Sequence, residues 1–152
     1  LLQLDFLMIL RSPVEVVISL CKAEEISPYD ALNLWIGSVF RAECMSRPYS
    51  RNIFTYNQLL NKPQTILDSF GLNWNQSFME SRLDQATSFL RPSLYRTKVD
   101  NVRESFVATN PELTNLLVLA EQIFDGFQYP TPDIARASEK LRYQWVEILA
   151  DR

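Results

Sequence analysis

The chain's 152 residues are enough for one domain, and 47% apolar residues with 12% aromatics can build a real core, which sets disorder aside. A formal charge of −3 argues against a general binder of nucleic acid or anionic membrane, since those surfaces are met by a basic excess. Histidine is absent, which removes Ser-His-Asp and Cys-His catalysis and leaves carboxylates, lysines and tyrosines for any proton transfer.

Cys21 and Cys44 sit inside helical patterns without CxxC spacing and read as buried thiols, not as zinc ligands or a disulfide. No apolar run approaches the roughly 20 residues of a membrane span, and no basic leader region is present, so a cytoplasmic protein is expected. The chain opens at Leu1 with neither methionine nor leader and reads as the continuation of a longer protein.

In chain order, Leu4 to Leu10 is an almost unbroken apolar run, the pattern of a strand buried on both faces. Arg11-Ser12-Pro13 interrupts it. Ser12 suits a helix cap and Pro13 the first helical position, where the missing N–H is not needed. The helix that follows places Val14, Val17, Ile18 and Cys21 on one side and Ser12, Glu15, Ser19 and Lys22 on the other. Ser27-Pro28-Tyr29-Asp30 repeats the same start signal, with Asp30 placed to reach back as in a capping box. That helix runs to about Ser46 with Leu32, Trp35, Ile36 and Val39 as its stripe.

Residues 52–56, "NIFTY", read as a short strand, followed by a turn of helix, a restart at Pro63 and a stop near Gly71. A strand, a helical connection and a second strand predict a parallel sheet of α/β type. A helix is expected around Ser77 to Ala86, then an irregular "FLRPSLYR". Two amphipathic helices close the chain: Leu113, Leu116, Leu117, Ala120, Ile123, Phe124 and Phe127 mark the first. Ile134, Leu141, Trp145 and Ile148 mark the second, with Thr131-Pro132 as cap and first position. No repeat or second domain is evident.

An arginine between a buried strand and a helix either caps the fold or holds something negative. The first N–H groups of the helix, from about Val14 and Glu15, lie at the positive end of its dipole, an anion site in outline. Arg11 adds a planar fork suited to phosphate oxygens. Ser19 lies two turns beyond Ser12 on the same face, and Glu15 puts an acid beside the proposed anion. The plainer reading makes Arg11 the partner of a carboxylate and Ser19 a solvated helix serine.

In this order, "ILRSPVEVVISL", "SPYDALNLW", "FTYNQLLNKP" and "FLRPSLYR", spread over residues 4–96, resemble the second half of the sulfotransferase family that uses 3′-phosphoadenosine 5′-phosphosulfate (PAPS), especially its bacterial-type members. The resemblance implies a P-loop NTPase-like parallel sheet, of which this chain supplies a predominantly helical portion with two or three strands. It also implies that Arg11 and Ser19, eight residues apart, bind the 3′-phosphate, that Tyr56 lies near the adenine, and that Arg96 reaches a phosphate. Residues 1–96 would then form the cofactor-binding core and residues 97–152 C-terminal packing helices of one domain.

The family's glycine-rich 5′-phosphosulfate loop and its histidine or glutamate base have no counterpart in these residues, so no catalytic residue is assigned and no metal is implied. The activity so implied is sulfuryl transfer to an acceptor hydroxyl or amine of unspecified class, with oligomeric state unassigned. The alternatives are an inactive nucleotide-binding relative, a helical protein-interaction domain, or a nucleotide kinase-like P-loop protein.

Overall fold

A computed structural model describes residues 5–69, 101–128 and 134–151. Strand β1 (Asp5–Leu10) leads through Arg11 and Ser12 into α1 (Pro13–Glu24) and then α2 (Pro28–Ser46). Strand β2 (Ser50–Thr55) follows, then two short helices, α3 (Tyr56–Asn61) and α4 (Pro63–Asp68). After the second described segment begins come α5 (Val102–Thr109), a 3-10 turn (Pro111–Leu113) and α6 (Thr114–Gln128); α7 (Ile134–Ala150) closes the chain.

The two strands pair in parallel, Asp5 with Ser50 through Leu10 with Thr55, so both carboxyl ends point the same way. The predicted parallel arrangement is therefore present, as a two-stranded sheet among the described residues. A parallel pair needs a crossover, and α1 with α2 supplies it.

Amphipathic stripes account for the core. Val14 and Val17 of α1, Leu32, Trp35, Ile36 and Val39 of α2, and Leu116, Leu117, Ala120, Ile123 and Phe127 of α6 form one buried cluster with Leu10. Helix α6 is the central element, packing on α1, α2, α7 and β2. Helix α7 approaches α2 closely at Gly37, where a Cβ would stand 3.4 Å from the Trp145 ring. The Trp145 indole N–H donates to Asn33 Oδ1 at 2.8 Å, and its ring lies 5.9 Å from that of Phe40.

Several local expectations are revised. Tyr56 is the first residue of α3, not the last of the strand, because Thr55 caps that helix. Thr55 Oγ1 accepts from the Gln58 N–H at 3.2 Å, and Gln58 Oε1 accepts from the Thr55 N–H at 2.7 Å, a complete capping box. Helix α5 was not anticipated; it is short and buries only Phe106.

Cys44 is exposed and Cys21 half-buried, so neither is a buried thiol. On α2 the inward positions run through Phe40 and Glu43, and Cys44, one residue on, turns outward. The expected helix around 77–86, the "FLRPSLYR" segment with Arg96 and the Thr131-Pro132 start lie outside the described residues. Among the described residues no helix is long and apolar enough to cross a membrane.

Candidate functional site

A cavity of about 150 Å³ opens at the carboxyl ends of the two strands. Leu10, Arg11, Ser12 and Glu15 form one wall, Thr55, Tyr56 and Asn57 the second, and Phe124 with Gln128 of α6 the third. In open α/β sheets ligands bind at this end, where helix starts and strand exits converge. The register explains why two distant sequence positions meet: Leu10 pairs with Thr55, so Arg11 and Tyr56 are the next residue of each strand.

Arg11 is held by three elements. Its Nε–H donates to Glu15 Oε2 at 2.8 Å, one helical turn away. Its guanidinium carbon stands 5.3 Å from the centroid of the Tyr56 ring, a cation–π distance. Its backbone carbonyl accepts from the Trp35 indole N–H at 3.2 Å. The Arg11 side chain keeps 26% of its surface exposed, whereas that of Glu15 keeps 2%. The arginine is thus ion-paired and partly exposed.

The two Ser-Pro-x-acid starts behave differently. In α2, Ser27 Oγ accepts from the Asp30 N–H at 3.1 Å and donates to Asp30 Oδ2 at 2.6 Å. That is the Ser27 half of the expected box, with the acid bonded to the cap hydroxyl instead of the cap backbone. In α1, Ser12 makes no side-chain cap bond, and the acid at the same offset, Glu15, turns to Arg11. The first turn of α1 faces the cavity, which Ser12 and Glu15 line. Such a terminus offers N–H groups and a partial positive charge to an anion.

Among the residues named from sequence, Arg11 and Tyr56 come together at this cavity. Ser19 lies on α1 and is exposed, and it is not part of the cavity lining. Seven residues of helix separate it from Ser12, about 10 Å along the axis at 1.5 Å per residue. Arg96 falls outside the described residues.

Sequence reading missed Phe124, which it placed in the packing stripe of α6, and Gln128, four residues on along the same face, which it did not single out. It also placed Trp35 only in the α2 core stripe. Thr55 was readable in principle, since Thr-x-x-Gln is a capping-box pattern.

A second polar cluster lies at the opposite end of the sheet. Glu43, 1% exposed, bonds Arg47 at 2.9 Å and Arg51 at 3.1 Å, and accepts from the Ser138 hydroxyl at 3.3 Å. Burial by itself would raise this carboxyl; the bonds from the two arginines outweigh it and hold it below its ordinary value. The bond to Glu43, helped by Glu139, raises Arg47 further above the normal guanidinium range. This cluster ties α2, β2 and α7 together and is structural. No family model, curated protein or solved structure matches the chain.

Proposed function

We propose that this chain is the donor-binding portion of a PAPS-dependent sulfotransferase, with Arg11 and the start of α1 on the 3′-phosphate and Tyr56 beside them toward the adenine. The observation that carries the reading is the meeting of Arg11 and Tyr56 in one cavity at the carboxyl ends of adjacent parallel strands. The sequence resemblance puts donor contacts at these two positions, and strand register independently makes them neighbours.

The cavity's size fits a partial site. Pockets for whole small-molecule ligands run from about 300 Å³ upward, so a cavity of about 150 Å³ suits a phosphate with adjoining atoms, not a complete nucleotide. Ser19, outside the cavity, would meet a ligand that extends along the face of α1. Arg96 keeps its proposed phosphate contact from the resemblance alone.

Strand β1 also fits a wider P-loop NTPase-like sheet. From Phe6 to Leu10 it is apolar on both faces, as in strands covered on two sides, yet Phe6 and Leu7 are exposed. The free thiols of Cys21 and Cys44 suit a reducing, cytoplasmic setting.

In the proposed reaction an acceptor hydroxyl or amine attacks the sulfur of the donor. The bond from sulfur to the 5′-phosphate oxygen breaks, and 3′-phosphoadenosine 5′-phosphate leaves. The acceptor's proton passes to a base that is not among the residues assigned here. Residues of this chain contribute by binding and orienting the donor, so their effect is positional and electrostatic.

Isothermal calorimetry with 3′-phosphoadenosine 5′-phosphate tests the reading. Arg11→Ala in the full protein should weaken binding by about 1.5–3 kcal/mol, the loss of a charged hydrogen-bonded contact. Unchanged affinity removes Arg11 from the site, and no binding by the unaltered protein removes the nucleotide.

A second reading, a protein-interaction domain, draws on the outward face of α7, where Tyr143 and Val146 are among the most exposed apolar residues described. Nucleotide binding that survives charge reversal on α7 but not Arg11→Ala favours the enzyme.

A further inference from the structure

Trp35 begins as an ordinary core residue. It lies two turns into α2, is 6% exposed and belongs to the buried cluster with Leu32, Ile36 and Val39. Its ring is not bonded within its own helix. The indole N–H crosses to the carbonyl of Arg11, 24 residues earlier, at 3.2 Å.

That carbonyl belongs to the peptide where the chain has left the β ladder at Leu10 and has not yet entered α1 at Pro13. The Arg11–Ser12 peptide lies at the junction of strand and helix, and the Trp35 bond ties it to α2 there. A backbone anchored to α2 at this point fixes where the root of the Arg11 side chain stands relative to the cavity. Glu15 and Tyr56 then restrain the far end of the same side chain. An oriented charge acts on a ligand without the cost of ordering a flexible arm, and small displacements of such groups are expensive.

We propose that Trp35 is a positioning residue for the cavity: through the Arg11 carbonyl, its indole N–H sets where the guanidinium stands. The consequence for ligand binding rests on the donor-site reading, but the positional effect does not.

The test uses Trp35→Phe, which keeps an aromatic ring in the core and removes the donor. Replacing Trp35 by 3-benzothienylalanine, in which sulfur stands for the N–H at nearly constant shape, serves if the phenylalanine variant folds poorly. The first measurement is the Arg11 Nε–H resonance in a ¹⁵N-edited NMR spectrum, with the Nε–H of Arg103, bonded to Glu121 at 2.6 Å, as internal reference.

Loss of the indole donor should shift or broaden the Arg11 signal and leave that of Arg103 in place. An unmoved Arg11 signal overturns the proposal whether or not any nucleotide binds. The second measurement is affinity for 3′-phosphoadenosine 5′-phosphate. Trp35→Phe should weaken it about three- to tenfold, the span of one net hydrogen bond. In an Arg11→Ala background the same change should have no further effect, because the residue it acts through is gone. An equal loss in both backgrounds makes the role merely structural and overturns the proposal. Failure of the unaltered protein to bind the nucleotide sinks the donor-site reading instead, and the NMR result still decides the role of Trp35.

Discussion

Arg11 and Tyr56 stand one residue beyond a register-matched pair, Leu10 and Thr55, and the guanidinium carbon of the first lies 5.3 Å from the ring centroid of the second. Parallel pairing brings these positions together although they lie 45 positions apart in the chain. The ring face that meets Arg11 is already engaged, so Tyr56 supports the cation as well as facing the cavity.

If the ring is the working part, Tyr56→Phe should bind 3′-phosphoadenosine 5′-phosphate within about twofold of wild type. Tyr56→Leu should lose about 0.5–1 kcal/mol, the usual worth of a partly exposed cation–π contact. Calorimetry on the two variants separates the ring from the hydroxyl: equal losses would assign the work to the hydroxyl.

Glu15 places a negative charge against the proposed anion. Glu15→Gln keeps an acceptor for the Arg11 Nε–H and removes the charge, so nucleotide affinity should rise, by about tenfold or more. A fall in affinity would mean that the full charge is needed to orient Arg11, which reverses the balance argued here.

The two Ser-Pro helix starts give a paired stability test. Ser27→Ala removes a cap bond and should cost about 1 kcal/mol in urea unfolding. Ser12→Ala removes no such bond and should stay within about 0.5 kcal/mol of wild type. Equal costs would show that the Ser12 hydroxyl caps α1 in solution.

Glu43 links stability to pH. Its carboxyl is held below the ordinary 4.5 when folded, so the folded protein binds fewer protons than the unfolded chain in the acid range. The stabilisation is complete above that ordinary value and is lost as pH falls through the lower, folded one. Glu43→Gln should cost about 2–4 kcal/mol at neutral pH, less than a fully buried pair because both arginines remain partly hydrated. The gap between wild type and variant, followed by urea unfolding at successive pH values, should narrow in acid; a gap that widens there contradicts the assignment.

Periodicity and start signals were enough to place β1, α1, α2 and α6, because the apolar stripes of these helices pack on one core and local preference agrees with burial. Ser27 and Pro28 begin α2 as their chemistry demands. Ser12 and Pro13 carry the same signal, yet Ser12 makes no side-chain cap bond, and the Glu15 side chain pairs with Arg11. The end of β2 was misjudged by one residue: Tyr56 has strand-like chemistry, but the Thr55–Gln58 box starts a helix there.

Sequence by itself determined that Arg11 sits between a strand and a helix start and that a second strand ends close to Tyr56, for both depend on neighbours close along the chain. Only the tertiary structure decided that the two share a cavity, that Phe124 and Gln128 of α6 complete it, that Ser19 stays outside and that Trp35 holds the Arg11 carbonyl. Those relations depend on strand register and on which helix covers the sheet's end, which many side chains set together across the core and no short segment specifies.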